Sequence, residues 1–475
     1  MSSIKISDFS IYRWRYWLGY SIIGLLLIGL LIFAGLYTPG GISAAEIDSV
    51  VRSATISTSS LSHLTITDLP FHGLQHLSLL VFGVSDFSIK LPSLILALVS
   101  AVGLILLLRR WFQPNVAVLA SLIAISTGQF LFIAQNGTPS IAYIVWPVSL
   151  LLLGTFVSKS VKPQKLWIFL FFAIAAISLY TPLDIYALLA LGAAAIFHPH
   201  LRFLIRNLSR KTLAGAFVLG LALTLPLIIS IIKTPELGLN ILGIPASWPN
   251  ISANLSSLAN QYFNFTTPSS TGLMTPVFGL GSMLIIGIGT YRLIRTRDSS
   301  QSYLIIIWLV GLLPMLLIRP DMSSITFLPL VLLLAAGLSE IMSDWYGLFP
   351  RNPYARVIGL VPLTILVGAL IFSGLDRYVY GYQYDPQTNT NFSRDLSLLP
   401  PGTKNLVVVA DQLDFYKVMQ HYNKNLDVSL IPISNQFVAT RAAKQDFTGY
   451  GVERIITSST YQSGDRFYVY KKLSN

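Results

Sequence analysis

Long apolar runs alternate with short polar breaks along the first 375 residues, and the last hundred residues read differently. An α-helix needs about 20 apolar residues to cross a bilayer. Eleven runs approach or reach that length: 17–36, 89–108, 116–134, 141–156, 166–179, 185–197, 213–232, 273–290, 303–318, 325–338 and 357–375. The pattern predicts a polytopic α-helical membrane protein with about 11 transmembrane helices over residues 1–375. A cleaved signal peptide competes for the first run, because Ser43-Ala44-Ala45 is a small-residue stretch. The run is longer than the usual signal core of about 7–15 residues, which favours an uncleaved helix. Beyond Asp376 the pattern turns mixed. NLVVVA at 405–410, DVSLIPI, VERIIT and RFYVYKK read as strands, 412–422 has helical spacing, and Ser463-Gly464-Asp465 suits a turn. Residues 376–475 are therefore expected to form a small α/β domain.

Composition agrees with the pattern. The 475 residues are 53% hydrophobic and 11% charged, with a mean hydropathy of +0.65. Soluble domains average about 25% charged residues. Cysteine is absent, which excludes a disulfide framework and a Cys-ligated metal. The net charge of +12 could suggest nucleic acid, but its placement argues otherwise. Seventeen Lys and Arg fall in the breaks on the amino-terminal side of the helices, and four (Arg52, Lys90, Lys233, Arg319) on the opposite side before Asp376. The positive-inside bias then predicts a cytoplasmic amino terminus. The first loop 37–88, the 233–271 segment and the 376–475 domain would lie outside the cytoplasmic membrane.

The stretch 36–92 holds the densest chemistry. It is rich in Ser and Thr and contains Glu46, Asp48, Arg52, His63, Asp68, His72, His76, Asp86 and Lys90. A carboxylate at the mouth of a membrane helix can take a proton from a hydroxyl acceptor, an effect worth about 10²–10⁴-fold. Glu46 and Asp48 are both candidates, but two residues diverge by about 200° on a helix, so one pocket takes only one of them. The competing reading of Glu46 is a helix-start acid favoured by the macrodipole. Lys90 and Arg319 end apolar helices on the side where cations are rare. They either snorkel to headgroups or bind an anionic phosphate. His72 and His76, four apart, share a helix face. They suit a metal pair weakly, and interfacial polar contacts, including one to a phosphate, better. The apolar runs themselves are nearly free of ionisable groups, unlike ion-coupled transporters. No P-loop, zincin motif or nucleophile elbow appears.

The segment DLPFHGLQHLSLLVFGVSDFSIKLPSLILALVSAVGLILLLRRW resembles the GT-C superfamily of membrane glycosyltransferases. The branch is that of the dolichyl-phosphate-mannose protein mannosyltransferases and the lipid A aminoarabinose transferases. FGVSDFSIKLPS matches a phrase that precedes the second helix there, with Lys90 at the usual Arg. The acidic couplet that opens the first loop in that family corresponds to Ala45-Glu46, with the first acid replaced. The resemblance makes Glu46 the carried-over catalytic base and Asp48 the fallback. STGQFLFIAQNGTPSIAYIVWPVSLLLLG resembles the next block, with Gln135 and Ser140 at the positions of an Arg and an acid. SSITFLPLVLLLAAGLSEI resembles the late helix that runs through Pro329. These departures allow for a divergent or even inactive member of the family.

The resemblance implies inverting transfer of a hexose or pentose from a polyprenyl-phosphate donor to a lipid, glycan or protein acceptor in the cell envelope. On that expectation Glu46 or Asp48 is catalytic, and Lys90, Arg319 and His72 bind the donor phosphate. No resident metal is assigned, and a divalent cation stays open as a cofactor. Expected partners are the donor lipid and the bilayer. The alternatives are a non-enzymatic transporter or lipid-linked sugar flippase, and a polysaccharide polymerase or ligase.

Overall fold

The computed structural model describes residues 10–36, 41–58, 66–245, 247–265, 269–270, 274–348, 353–380, 385–457 and 465–473. His63 and most of the 463–465 turn lie outside them. The helices in chain order are α1 Ser10–Leu36, α2 Ala44–Thr58, α3 Leu69–Phe82, α4 Asp86–Trp111, α5 Pro114–Ile125, α6 Gly128–Gln135, α7 Ala142–Ser158, α8 Gln164–Ser178, α9 Ile185–Phe197, α10 Pro199–Arg206, α11 Arg210–Lys233, α12 Pro235–Ile241, α13 Ile251–Phe263, α14 Leu280–Arg295, α15 Ser300–Ile318, α16 Phe327–Leu348, α17 Pro353–Tyr378, α18 Pro386–Asn391 and α19 Leu413–Tyr422. The strands are β1 Ser269–Ser270, β2 Met274–Thr275, β3 Asn405–Val407, β4 Asp427–Ser429, β5 Gln436–Thr440, β6 Tyr450–Thr457 and β7 Arg466–Lys472.

Every apolar run is helical, but not every one is a straight span. Among the described residues six helices are long and apolar enough to cross a membrane, or up to eight if each bent pair is one span. The bends have local causes. Between α5 and α6 the chain turns by 58° at Ser126-Thr127, and Thr127 caps the next helix by accepting from the Phe130 amide. Between α9 and α10 it turns by 87°, where His198 precedes Pro199 and a residue before proline is pushed out of the helical region. The basic 198–206 break is thus a short amphipathic helix and not a loop. The run expected at 273–290 begins at Leu280, after the β1–β2 hairpin. Gly289 and Gly337 let α14 and α16 touch, since a side chain on either would collide with the facing backbone.

The first polar stretch folds as two helices, α2 and α3. Gly41, at φ 75°, starts it, and a Cβ there would run into the Arg394 carbonyl. Ile42 bridges to Arg394, so the chain after α18 clamps the entry to α2.

The carboxy-terminal segment forms a five-stranded sheet, order β4-β3-β5-β7-β6. β3 runs parallel to β4 and β5, and β7 runs antiparallel to β5 and β6. β6, β7 and α19 answer the sequence pattern, β3 and β4 are each shorter than their runs, and β5 is an addition to it. Val50, Ala54 and Leu79 share one buried cluster with Phe415, Tyr416 and Met419. That cluster welds α19 onto α2 and α3, and the Tyr422 hydroxyl lies 3.0 Å from His76 Nδ1. The first polar stretch is therefore held between the helix bundle and the sheet.

Candidate functional site

Two polar centres flank α3. The first is built on Glu46, which is fully buried. Its Oε2 accepts from the Ser43 amide at 2.8 Å and the Ser43 hydroxyl at 3.1 Å, while Ser43 Oγ accepts from the Glu46 amide at 3.2 Å. This reciprocal arrangement is a capping box, Ser-x-x-Glu, at the start of α2. The other oxygen, Oε1, accepts from the Gly137 amide at 2.7 Å and lies 3.8 Å from Lys90 Nζ. Lys90 is equally buried and donates to the Gly41 carbonyl at 2.9 Å. Gln75 completes the knot. It accepts from Ser49 and Ser53 and donates to the carbonyls of Ile89 and Gly137. His72 lies 2.9 Å from the Ser53 hydroxyl, and burial above all lowers its pKa to about 4.

The expected site residues occupy unlike surroundings. Glu46 and Lys90 do meet, but as a sealed pair with every carboxylate oxygen engaged, so neither presents a free group to a substrate. His72 is a neutral member of a buried network and offers a phosphate no positive charge. Asp48 points the other way, as the 200° divergence requires, and forms an exposed pair with Arg52 at 2.7 Å. Gln135, at the end of α6, is fully buried, and neither of its side-chain polar atoms finds a partner.

The second centre lies where the start of α3 meets the turn between α8 and α9. The Asp68 amide donates to the Tyr180 carbonyl at 2.9 Å, and the Asp68 side chain is hydrogen-bonded to Thr181. Trp146 of α7 donates to the same Thr181 hydroxyl at 3.1 Å. Asp68 and Leu183 both hold positive φ, 55° and 66°, an uncommon state for residues other than glycine. The junction also carries Asp184, fully buried, whose two carboxylate oxygens have no partner among the described residues. Asp68 Oδ1 likewise has none. Tyr143 of α7, half-buried, lies within electrostatic reach of Asp68, Asp184, Asp321 and Arg319. Arg319, at the end of α15, grips Asp321 through two hydrogen bonds of 3.2 and 3.1 Å.

Arg319 therefore belongs with Asp68, Asp184 and Tyr143, and not with Lys90. Burial is the chief cause that raises the Asp68 pKa to about 7, opposed by the Thr181 hydrogen bond and by the charge of Arg52. Burial, then the charge of Asp68, pushes Asp184 well above the carboxylate range. Neither acid was singled out from the sequence. The available signal was Asp184 itself, a carboxylate set between two apolar runs, where such a group is costly.

The family model for dolichyl-phosphate-mannose-protein mannosyltransferase matches residues 71–229. Among solved structures, ArnT from Cupriavidus metallidurans bound to undecaprenyl phosphate aligns over 95% of this chain and 97% of its own, at a TM-score of 0.56 and 11% identity. The chain shares the fold of ArnT over nearly its whole length. ArnT in the apo state gives a TM-score of 0.55 at 10% identity, over 97% of this chain and 98% of its own. The Archaeoglobus fulgidus oligosaccharyltransferase in the apo form gives 0.50 at 14% identity, over 87% of this chain and 64% of its own. No curated protein sequence matches the chain. With six to eight candidate spans among the described residues this chain is a multi-pass membrane protein, and within the family match lie most of α3, Lys90, Tyr143 and Asp184.

Proposed function

We propose that this GT-C protein transfers a sugar, hexose or pentose, from a polyprenyl-phosphate donor to an acceptor outside the cytoplasmic membrane. In this reading eleven helices span the bilayer, the amino terminus is cytoplasmic, and the loop helices, both polar centres and the carboxy-terminal α/β domain face outward. The observation that carries the reading is the cluster of charged groups around Tyr143. It sets one guanidinium, Arg319, beside carboxylates at the helix ends, in a fold shared with a protein bound to undecaprenyl phosphate.

The chemistry follows from the residues. Arg319 is half-buried and paired to Asp321, an exposed carboxylate that a phosphate can displace. Charge-assisted donors of this kind hold phosphate well. The acceptor oxygen attacks the anomeric carbon on the face opposite the leaving phosphate, so configuration inverts. The carbon–oxygen bond to phosphate breaks, and its electron pair leaves with polyprenyl phosphate. Glu46, Lys90, Gln75 and His72 fix the first loop beside this cluster, and Asp48 stays on its solvent face.

Purified full-length protein in nanodiscs, given labelled polyprenyl-phosphate hexose or pentose, is expected to release polyprenyl phosphate and pass the label to an acceptor. A protein that releases none from any donor in the panel, yet moves the intact donor across liposome membranes, would be a flippase instead.

A further inference from the structure

Asp68 and Asp184 stand out because two acids with buried, partnerless oxygens meet at one junction, whereas Asp86, the other acid of the loop with such an oxygen, lies within electrostatic reach of Lys90 and Glu46. Glu46 shows how this fold treats a buried carboxylate it uses for support: each oxygen is met by a donor. Asp184 is as deeply buried and neither oxygen is met. A buried carboxylate without partners is expensive in its charged form, so it keeps its proton. Asp68 reaches the half-exposed rim beside Tyr143, whose phenol also has no hydrogen-bond partner among the described residues. One oxygen of Asp68, Oδ1, is buried and has no hydrogen-bond partner among the described residues. The two acids have different environments: Asp68 takes a hydrogen bond from Thr181 and feels the charge of Arg52, while Asp184 has neither, so they divide into an ionisable base and a neutral acid.

We propose that Asp68 is the base that takes the acceptor's hydroxyl proton, and that Asp184 is the protonated acid that keeps its side of the junction uncharged. The proposal rests on the transferase reading above. The acceptor proton passes to Asp68, the acceptor oxygen's electron pair forms the bond to the anomeric carbon, and the phosphate departs toward Arg319. The groups that face Asp68 are Arg52 of α2, Thr181 and Asp184 of the α8–α9 turn, and Tyr143 of α7. Arg319 and Asp321 face Tyr143 from the end of α15. An acid near neutrality suits proton transfer at physiological pH.

The test uses the purified full chain with two independent readouts. The first is turnover of polyprenyl-phosphate hexose. Asp68→Asn is expected to lower kcat at least about 100-fold with the donor KM within a few-fold, and Asp68→Glu to restore part of the loss. The second is infrared spectroscopy near pH 9 in an ester-free detergent, well above the pKa of about 7 of both Asp68 and Asp86. The wild type is expected to show the carbonyl band of a protonated carboxylic acid, and Asp184→Asn to lose it. Wild-type turnover in Asp68→Asn overturns the base, and a band that survives Asp184→Asn overturns the protonated Asp184. A wild type that transfers no sugar overturns the transferase reading and the base with it, while the band still decides where the proton sits.

Discussion

The two polar centres on either side of α3 hold similar residues and treat them oppositely. Glu46 and Lys90 form a buried pair in which every carboxylate oxygen is met by a donor, so the acid is neutralised by structure. Around Asp68 and Asp184 the carboxylates are buried without matching donors, so one is neutralised by a proton. The contrast teaches that burial alone does not mark a functional acid. What marks it is burial without satisfaction, since fully met polar networks rigidify a fold, while unmet ones need a ligand or a proton to complete them.

The contrast can be broken most forcefully at Lys90. Removing one partner of a buried pair strands the other and costs about 3–5 kcal/mol. Lys90→Met is therefore expected to melt far earlier in detergent, and Lys90→Met/Glu46→Gln to recover part of the loss, as coupled neighbours do. Glu46→Gln alone should lose melting temperature, with the rate per folded molecule retained. If it instead melts like the wild type and loses its rate, Glu46 is catalytic and the contrast fails.

The next effect is on rate and pH. A base at Asp68 must be ionised, so turnover is expected to rise as pH passes about 7 and then level off. Stability runs the other way. The folded pKa lies above the ordinary 3.8, so the stability Asp68 contributes is present below 3.8 and lost as pH rises through about 7. Melting temperature should therefore fall between pH 5 and 8, and fall less in Asp68→Asn. A smaller loss is expected at the donor site. Hydrogen bonds to charged groups are worth about 1.5–3 kcal/mol, so Arg319→Ala should raise the donor KM about 10–100-fold and leave kcat closer to normal. Inhibition by free polyprenyl phosphate should weaken in step.

These outcomes also measure how far the residues could be read in advance. The apolar runs located every bundle helix, because hydrophobic length alone sets a membrane element. They could not show the 58° and 87° bends, which depend on Thr127 and Pro199 acting locally. Ser43 and Glu46 spelled a capping box in plain view, yet the resemblance drew attention to the acid as a catalyst. Asp68 and Asp184 lie far apart in the chain, and only the meeting of α3 with the α8–α9 turn makes them neighbours. No local pattern encodes that meeting. The strand β5 escaped notice because QFVAT is short and lies among Ser, Asn and Pro.

The finest probe is Arg52, which links the exposed face of α2 to the junction. Its pair with Asp48 is solvent-exposed, with side chains 47% and 59% accessible. Such pairs are worth about 0.2–1 kcal/mol, so Arg52→Gln should barely move the melting temperature. Its charge nonetheless lowers the Asp68 pKa. Removing it should let that pKa climb and carry the rising limb of turnover to higher pH by a fraction of a unit. Asp48 exerts no such pull on Asp68, so Asp48→Asn should leave the limb in place. A limb that moves with Asp48→Asn and not with Arg52→Gln would mean the titrating base is on the surface of α2, and the junction would lose its claim to the chemistry.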